Sequence, residues 1–412
     1  MTDHNQINTP VTAAERKVSI DVLRGFAVLG ILIMNIQSFS MIGAAYINPA
    51  AFGEFTGVDR IIWMLSHIFA DSKFLTIFSI LFGAGILLIT QRAEAKGQKP
   101  AGLHYRRNFW LLIIGLVHAY IFWYGDILTA YAVCGFVVYF ARNFTPRRLL
   151  ISGLIIISIG SGLYLLSGLS IPYWPDVSYQ ETLKSWQPAA EEISREIAAY
   201  SGSWLAQMEY RVPSAASMQT FLFFYMIFWR VAGLMLIGMA LYKWKVLQAE
   251  LPDSTYKKLL LAGFGAGLPL VIYGLIQNAA AGWSLDYSMF MGSQFNYWGS
   301  MFVSLGYISL IMLIVKSGIL KKLSSALQAV GRMALTNYLL HTLVCTFIFY
   351  GHGFGFFGRT GRVMQLIIVI VIWIFQLYIS PLWLRHFRFG PVEWLWRSLT
   401  YLKLQPMKIS KT

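Results

Sequence analysis

His118 and Asp126 are the residues of this sequence best suited to acid–base chemistry. They lie eight residues apart at the end of an apolar run, so they share one side of a helix if Gly125 does not break it. A buried histidine oriented by a carboxylate is suited to be a general base, because the ordinary pKa of the imidazole side chain lies near working pH. The alternative is a histidine that hydrogen-bonds to a neighbouring helix for packing alone.

A second polar group opens the first long apolar run, where Asp21 and Arg24 are followed by Gly25. An acid and a base at this spacing share one helical face and can pair, and the glycine leaves room for a close neighbour. Asn35 follows about three turns later on nearly the same face. Membrane spans avoid polar groups. The pattern therefore indicates either an interfacial anchor pair with an interhelical amide, or a polar track from the cytoplasmic face to a buried site.

Further polar side chains inside apolar runs are candidates for substrate binding. Arg230 lies in the middle of a run and must face the bundle or a water-filled cavity. It would either pair with an acid such as Asp126 or hold an anionic ligand. Asn337 and His341 share one helical face, as a ligand-binding stripe or as interhelical hydrogen bonds. Gln294 lies near the outer end of another run and is a candidate for an outward-facing vestibule.

The apolar runs that must position these residues identify a membrane protein. Hydrophobic residues make up 57% of the 412 residues, charged residues only 12%, and the mean hydropathy is +0.58. Many runs approach the ~20 residues that a helix needs to cross a bilayer. The net charge of +15 lies in the short gaps between runs, as the positive-inside rule requires, so nucleic-acid binding is not expected.

The alternation of basic and charge-poor gaps predicts an all-α polytopic membrane helix bundle of about ten transmembrane helices, with both termini cytoplasmic. The expected spans are residues 20–42, 73–89, 108–123, 127–140, 149–171, 221–242, 259–276, 295–315, 333–350 and 363–384. Residues 58–89 form either one helix or two. The predicted segments are a cytoplasmic N-terminal segment (1–17), an N-terminal membrane bundle (18–171), a periplasmic cap with one surface helix (172–217), a C-terminal membrane bundle (218–400) and a cytoplasmic tail (401–412).

Motifs of soluble enzymes are absent from the sequence, which has no P-loop, no HExxH and no G-x-S-x-G. No set of histidines and cysteines has the spacing of a metal site, so we expect no metal. Cys134 and Cys345 lie within apolar runs and are expected to be small buried hydrophobes. The polar N-terminus and the lack of a small-residue cleavage site predict no removable signal peptide.

Several stretches together resemble the YeiB family of bacterial inner-membrane proteins, labelled only as a domain of unknown function. They are SIDVLRGFAVLGILIMNI at 19–36, SKFLTIFSILFGAG at 72–85, HAYIFWYGDILTAYAVCG at 118–135, GRMALTNYLLHTLVCTFIFYGHGFG at 331–355 and FGPVEWLWRSLTYLK at 389–403. They extend over nearly the whole chain and are specific as a set. The resemblance implies a multi-pass protein of the bacterial cytoplasmic (inner) membrane.

The first span also resembles that of transmembrane acyltransferases, a group that includes the lysosomal heparan-α-glucosaminide N-acetyltransferase and, more distantly, the OafA-type O-acyltransferases. Asp21, Arg24 and Gly25 match the shared D-x-x-R-G. Asn35 falls where the OafA-type enzymes place a histidine and the heparan enzyme an asparagine. The resemblance implies a bundle that binds acyl-CoA from the cytoplasm and hands the acyl group to a small-molecule or glycan acceptor outside. The heparan enzyme has a candidate histidine just after its first span, whereas residues 43–57 contain none, so His118 is our substitute for it.

If the protein has that activity, the polar residues divide into two groups. The phosphates of acyl-CoA, the acyl-donor substrate, would meet a basic group at the inner ends of the spans, for which the candidates are Arg24 with its partner Asp21, Arg106, Arg107 and Arg332. In the outer half, His118 would deprotonate the acceptor and Asp126 would stabilise the imidazolium. Asn35 would polarise the thioester carbonyl.

Two other classes of function stay open. A transporter or permease for a small solute or ion would use Arg230 and the outer amides to line its path, although the sequence shows no two-fold internal repeat. A structural or envelope-stress membrane protein without turnover is the other. Contact with the lipid bilayer is expected in each case, and the oligomeric state is open, with a homodimer as one alternative.

Overall fold

The described part of the chain is a bundle of α-helices. The computed structural model describes residues 17–409, so the expectations for residues 1–16 and 410–412 lie outside the described residues. The helices are α1 (Val18–Ser40), α2 (Ala44–Ile47), α3 (Gly57–Phe69), α4 (Lys73–Ala95), α5 (Pro100–Val117), α6 (Leu128–Val138), α7 (Pro146–Ser170), α8 (Asp176–Trp186), α9 (Ala190–Ser201), α10 (Met208–Gln219), α11 (Phe228–Lys243), α12 (Asp253–Ala280), α13 (Ser293–Ser317), α14 (Lys321–Arg332), α15 (Ala334–Phe349), α16 (Arg362–Leu384) and α17 (Pro391–Tyr401). The predicted all-α membrane bundle is confirmed.

Seven helical segments of residues 17–409 are long and apolar enough to cross a membrane. They are Val18–Ser40, Gly57–Ala95, Pro146–Tyr173, Met208–Lys243, Asp253–Ala280, Leu285–Ser317 and Arg362–Leu384. The other three expected spans coincide with α5, α6 and α15, which are shorter or more polar. α6, for example, has 11 residues and rises only ~16 Å, against a hydrocarbon core of ~30 Å. The count of ten therefore stays a prediction.

α1 forms the centre of the bundle. In the most apolar 18-residue stretch of α1, 78% of the residues are buried inside the protein. The corresponding share is 28% for the segments of α7, α12 and α16, whose outer faces are left for lipid. α1 is apolar over most of its circumference, apart from the face of Asp21, Arg24 and Asn35, and can therefore be covered on nearly every side. It packs against α4, α13, α14, α15 and α16. Since Asp21 and Arg24 lie in the first two turns of α1, the fold places them in the middle of one end of the bundle.

Residues 58–89 form parts of two helices. The chain breaks between α3 and α4, where Ser72 adopts a left-handed conformation with φ of 65°. α3 leaves large apolar side chains exposed, which is typical of a helix that lies along the membrane interface. Its Asp59 carboxylate accepts hydrogen bonds from the backbone N–H groups of Arg362 (3.0 Å) and Val363 (3.1 Å). α3 thereby caps the N-terminus of α16.

The segment predicted as a cap with one surface helix contains more helix than expected. α8, α9 and the first part of α10 all lie within residues 172–217. α8 ends at Trp186, two residues before Pro188, because the residue before a proline disfavours the helical conformation. The sequence pattern missed α8, whose mixed polar composition has little apolar periodicity.

Candidate functional site

A cavity of about 270 Å³ opens at the end of the bundle where α1 begins. Its lining includes six basic side chains and two acids, namely Lys17, Arg24, Arg92, Arg107, Arg332 and Arg397 with Asp21 and Glu393. The remainder is mainly apolar, and includes Ile31, Phe78, Leu81, Phe82, Ile127 and Leu128. Basic side chains bind phosphate strongly, and an apolar pocket accepts a hydrocarbon chain. The cavity therefore suits an anionic amphiphile.

The last helix, α17, forms one wall of the mouth. Its Glu393 carboxylate accepts hydrogen bonds from the backbone N–H groups of Leu335 (2.6 Å) and Thr336 (3.0 Å), and so caps α15. Burial raises the pKa of the Glu393 carboxyl, although these hydrogen bonds oppose that shift. Trp396 Nε1 donates to the carbonyl of Arg107 (2.9 Å), whose guanidinium lies 4.1 Å from the Trp396 ring centroid. The sequence analysis did not predict that α17 lines the cavity, although the stretch at 389–403 that carries the family resemblance contains this helix.

Four of the five residues predicted to bind the donor line this cavity: Asp21, Arg24, Arg107 and Arg332. Arg24 Nη1 donates to Asp21 Oδ1 at 2.8 Å, the pair predicted from their spacing. Arg106 does not line the cavity, and its Nε donates instead to the carbonyl of Thr400. Consecutive residues of a helix point about 100° apart. The side chains of Arg106 and Arg107 therefore leave α5 in different directions, and only that of Arg107 reaches the cavity.

His118 and Asp126 are paired and buried. His118 Nδ1 lies 2.8 Å from Asp126 Oδ1, and Asp126 Oδ2 accepts from the backbone N–H of Thr129 at 2.8 Å. The pair does not form along one continuous helix. The chain leaves a π-helical turn at Phe122, and Trp123 is extended with φ of −162°. Asp126 therefore lies in the connection to α6, which folds back against the histidine.

Two residues of α15 complete the surroundings of His118. His118 Nε2 lies 2.8 Å from Thr342 Oγ1, and all of His118, Asp126 and Thr342 are buried. Tyr338 lies one helical turn before Thr342, lines the cavity, and places its ring centroid 5.4 Å from that of His118. Tyr338 thus contacts both the cavity and His118, whereas His118 itself does not line the cavity. Sequence reasoning missed both residues, and the only available signal was their spacing of four within the stretch at 331–355.

His118, Asp126 and the remaining predicted residues all lie outside the cavity lining. Asn35 is half-buried in α1. Arg230 does not contact Asp126, because its guanidinium donates to the carbonyl of Tyr297 (2.7 Å) and to Ser300 Oγ (2.7 Å). Arg230 therefore forms hydrogen bonds with α13 and not with Asp126.

The predicted polar stripe of α15 faces α16. Asn337 Nδ2 donates to Ser380 Oγ at 3.1 Å, and His341 Nε2 lies 2.8 Å from Gln376 Oε1. Gln294 accepts a hydrogen bond of 2.6 Å from a serine of α7. These contacts join helices to one another, and a role of these three residues in substrate binding stays a prediction.

Comparison with known proteins places the chain among proteins whose activity is not described. The family described as "Protein of unknown function (DUF418)" matches residues 241–403, which include α12 to α17. The chain is 35% identical over 407 residues to the uncharacterized protein YeiB of Escherichia coli (strain K12), covering 97% of this chain and 99% of that protein. It is 32% identical over 419 residues to the uncharacterized protein YxaH of Bacillus subtilis (strain 168), with 97% of each covered. An uncharacterized 39.9 kDa protein of Bacillus acidopullulyticus is 27% identical over 403 residues, with 98% of this chain and 99% of that protein covered. The chain therefore belongs to the YeiB family.

Proposed function

We propose that this protein is a membrane-bound acyltransferase. It takes an acyl group from acyl-CoA at the basic mouth and passes it to an alcohol or amine that arrives from the opposite side of the membrane. The observation that carries the proposal is the cavity with a basic mouth, whose lining ends at Tyr338 beside the His118–Asp126 pair. Transfer across a membrane needs that arrangement, because the donor phosphates stay at the surface while the thioester reaches a buried base.

The donor fits the cavity by charge and by polarity. Its phosphates would be held by Arg24, Arg107 and Arg332, because guanidinium groups form strong paired hydrogen bonds with phosphate oxygens. Asp21 orients Arg24 through their 2.8 Å contact. The pantetheine arm and the acyl chain would follow the apolar lining inwards. The basic mouth lies in the cytoplasm by the positive-inside rule, which is where acyl-CoA is made.

The His118–Asp126 pair supplies the base for transfer. The acceptor O–H or N–H gives its proton to His118 Nε2, and its oxygen or nitrogen attacks the thioester carbonyl carbon. The carbon–sulfur bond breaks, and the departing thiolate takes the proton from His118. Asp126 stabilises the imidazolium that exists between the two proton transfers. Asn35 lies outside the cavity lining, so the proposal gives it no contact with the thioester.

The acceptor and the cellular location follow from the same arrangement. A small alcohol or amine, or a glycan, would approach from the side of α8 and α9, opposite the basic mouth. The bacterial relatives and the many apolar helices support the bacterial cytoplasmic membrane as the location. One copy of the chain contains the whole site, so the proposal requires no dimer.

Release of CoA thiol by the purified, lipid-reconstituted protein tests the proposal. Acetyl-CoA and longer acyl-CoAs are supplied with a panel of sugar and amine acceptors. We expect His118→Gln to lower the rate on the order of 10²–10⁴-fold, the usual contribution of a general base. His386→Gln is the matched control, since His386 is an exposed histidine at the end of α16. A His118→Gln protein that is folded and as active as the unsubstituted protein contradicts the assignment.

Ion or solute transport is the second candidate, and a buried polar cluster outside the cavity favours it. Lys73 is fully buried, and its Nζ donates to Asn296 Oδ1 (2.6 Å), while Asn296 Nδ2 donates to Asp71 Oδ2 (2.8 Å). Ionisable residues within membrane helices commonly mark ion or proton paths. Proteoliposomes loaded with a pH-sensitive dye test this function. A proton flux that Lys73→Met abolishes would favour transport over acyl transfer.

A further inference from the structure

The face of α15 that lines the cavity leads directly to a threonine. Leu335 and Tyr338 contribute to the lining, and Thr342 follows Tyr338 by four residues on the same face. Thr342 is 1% exposed, and its Oγ1 lies 2.8 Å from His118 Nε2. A hydroxyl group is therefore held against the proposed base, one helical turn beyond the cavity.

The hydroxyl of Thr342 does not follow the pattern of five other threonines in or next to helices, although Thr336 also bonds to a side chain of another helix. Threonines in helices usually donate their hydroxyl to the carbonyl four residues earlier. Such bonds of 2.7–2.9 Å are made by Thr76, Thr90, Thr182, Thr220 and Thr400. The hydrogen bond found for Thr342 goes to an imidazole on another helix. A hydrogen bond to its own helix therefore does not explain the orientation of the Thr342 hydroxyl.

The partners of Asp126 determine which way this hydrogen bond points. Both carboxylate oxygens accept, Oδ1 from His118 Nδ1 and Oδ2 from the backbone N–H of Thr129. A carboxylate has no proton to donate, so Nδ1 of His118 is the protonated nitrogen. In a neutral imidazole Nε2 is then an acceptor, and the Thr342 hydroxyl donates to it. The order hydroxyl, imidazole, carboxylate is the order of a nucleophilic triad.

We propose that Thr342 is the nucleophile of this site and carries the acyl group between donor and acceptor, an inference that rests on the proposed function and replaces its direct attack of the acceptor on the thioester by two successive transfers. The Thr342 proton passes to His118 Nε2 while Oγ1 attacks the thioester carbonyl carbon. The carbon–sulfur bond breaks, an ester to Thr342 forms, and the thiolate leaves with the proton from His118. An acceptor O–H or N–H then gives its proton to His118 and attacks the ester carbonyl. The carbon–Oγ1 bond breaks, and Thr342 regains its proton from His118.

Tyr338 is placed to assist the same steps. It lines the cavity, its side chain lies beside His118, and its buried hydroxyl makes only a poorly formed hydrogen bond, to the backbone of Ile127, among residues 17–409. A buried hydroxyl with so weak a partner loses little by turning to another acceptor, and a negative oxygen at the reacting carbonyl would be a suitable one. Tyr338 would thus stabilise the tetrahedral intermediate.

A covalent intermediate suits a site reached from two sides. The acyl group stays on Thr342 while CoA leaves through the basic mouth, so donor and acceptor need not occupy the buried site together. Kinetics should then be of the ping-pong type, with thiol release in the absence of acceptor limited to one equivalent.

Mass spectrometry of the reconstituted protein tests the inference. The protein is incubated with acetyl-CoA without acceptor, digested, and searched for one acetyl group on the peptide that contains Thr342. We expect the adduct in the unsubstituted protein and in Thr342→Ser, and its absence in Thr342→Val. Turnover with acceptor should fall on the order of 10²-fold or more in Thr342→Val. Thr346→Val is the control, because Thr346 is buried one turn later on the same helix and bonds to a backbone carbonyl.

The possible failures are distinguishable. If the unsubstituted protein releases thiol and transfers the acyl group but shows no adduct on Thr342, the covalent step is overturned and the proposed function stands. The same holds if Thr342→Val turns over at the unsubstituted rate. If the unsubstituted, folded protein neither releases thiol nor transfers an acyl group, the proposed function fails, and this inference with it.

Discussion

Gly25 of α1 and Gly331 of α14 pack backbone to backbone. A Cβ atom added to Gly331 would lie 2.7 Å from the amide nitrogen of Gly25 and 1.9 Å from the carbonyl oxygen of Asp21. Small residues let membrane helices approach this closely. Since Asp21 and Arg332 both line the mouth of the cavity, the glycine contact sets the distance between two of its walls.

Gly331→Ala should therefore destabilise the protein by about 1–3 kcal/mol, the usual cost of overpacking. The free energy of unfolding in detergent, or the shift in Tm, measures the effect. Gly265→Ala is the control, because a Cβ at Gly265 on α12 would meet nothing within 4 Å. Equal stability of the two variants would contradict the close packing of α1 and α14.

Gly85 offers a way to fill the cavity without disturbing the helices. It lines the cavity from α4, and a Cβ at this position would meet nothing within 4 Å. Gly85→Leu should place its side chain in the space that we propose for the acyl-donor arm, and so weaken acyl-CoA binding at least tenfold, about 1.4 kcal/mol. Gly265→Leu on α12 should leave binding unchanged. Undiminished binding in the Gly85 variant would mean that the ligand does not use this part of the cavity.

Arg211 connects α10 to the π-helical turn that begins at His118. It is 1% exposed, and it donates to the carbonyl of Ile121 (2.5 Å) and to Gln207 Oε1 (2.6 Å). A buried charged hydrogen bond contributes about 1.5–3 kcal/mol. Arg211→Met should therefore speed amide hydrogen exchange of residues 118–123 roughly tenfold or more, because local opening becomes easier.

The control for Arg211 is Arg195→Met. Arg195 is exposed, and its ion pair with Glu191 has an N–O distance of 3.5 Å, so its removal should not affect that turn. Identical exchange in residues 118–123 for both variants would show that α10 does not support the histidine.

The sequence predicted the convergence of Asp21, Arg24, Arg107 and Arg332 for a simple reason. Charged residues at the ends of apolar helices must stay near the membrane surface, and helix ends on one side of a bundle lie close together. The same reasoning included Arg106, because periodicity alone does not fix the rotation of α5. α5 packs on α4, α6 and α17, and the contacts of Arg106 and Arg107 with Thr400 and Trp396 come from the far end of the chain.

The neighbours of His118 were harder to predict. The pairing with Asp126 was expected along a helix, but it forms through a connection that folds back after Phe122. Thr342 gave no signal beyond its spacing of four from Tyr338, since a threonine in an apolar helix ordinarily bonds to its own backbone. Asn337 and His341 gave a stronger polar signal on the same helix, but they face α16. Which face of α15 meets the histidine depends on tertiary packing.

Acyl-CoA binding by the purified protein tests the central claim most directly, with Arg107→Gln and Arg106→Gln as a matched pair. The two arginines are adjacent and carry the same charge, but only Arg107 lines the cavity. We expect saturable binding by the unsubstituted protein, at least a tenfold loss in Arg107→Gln, and little change in Arg106→Gln. The absence of binding to the folded, unsubstituted protein, or the same affinity in both variants, would contradict the account.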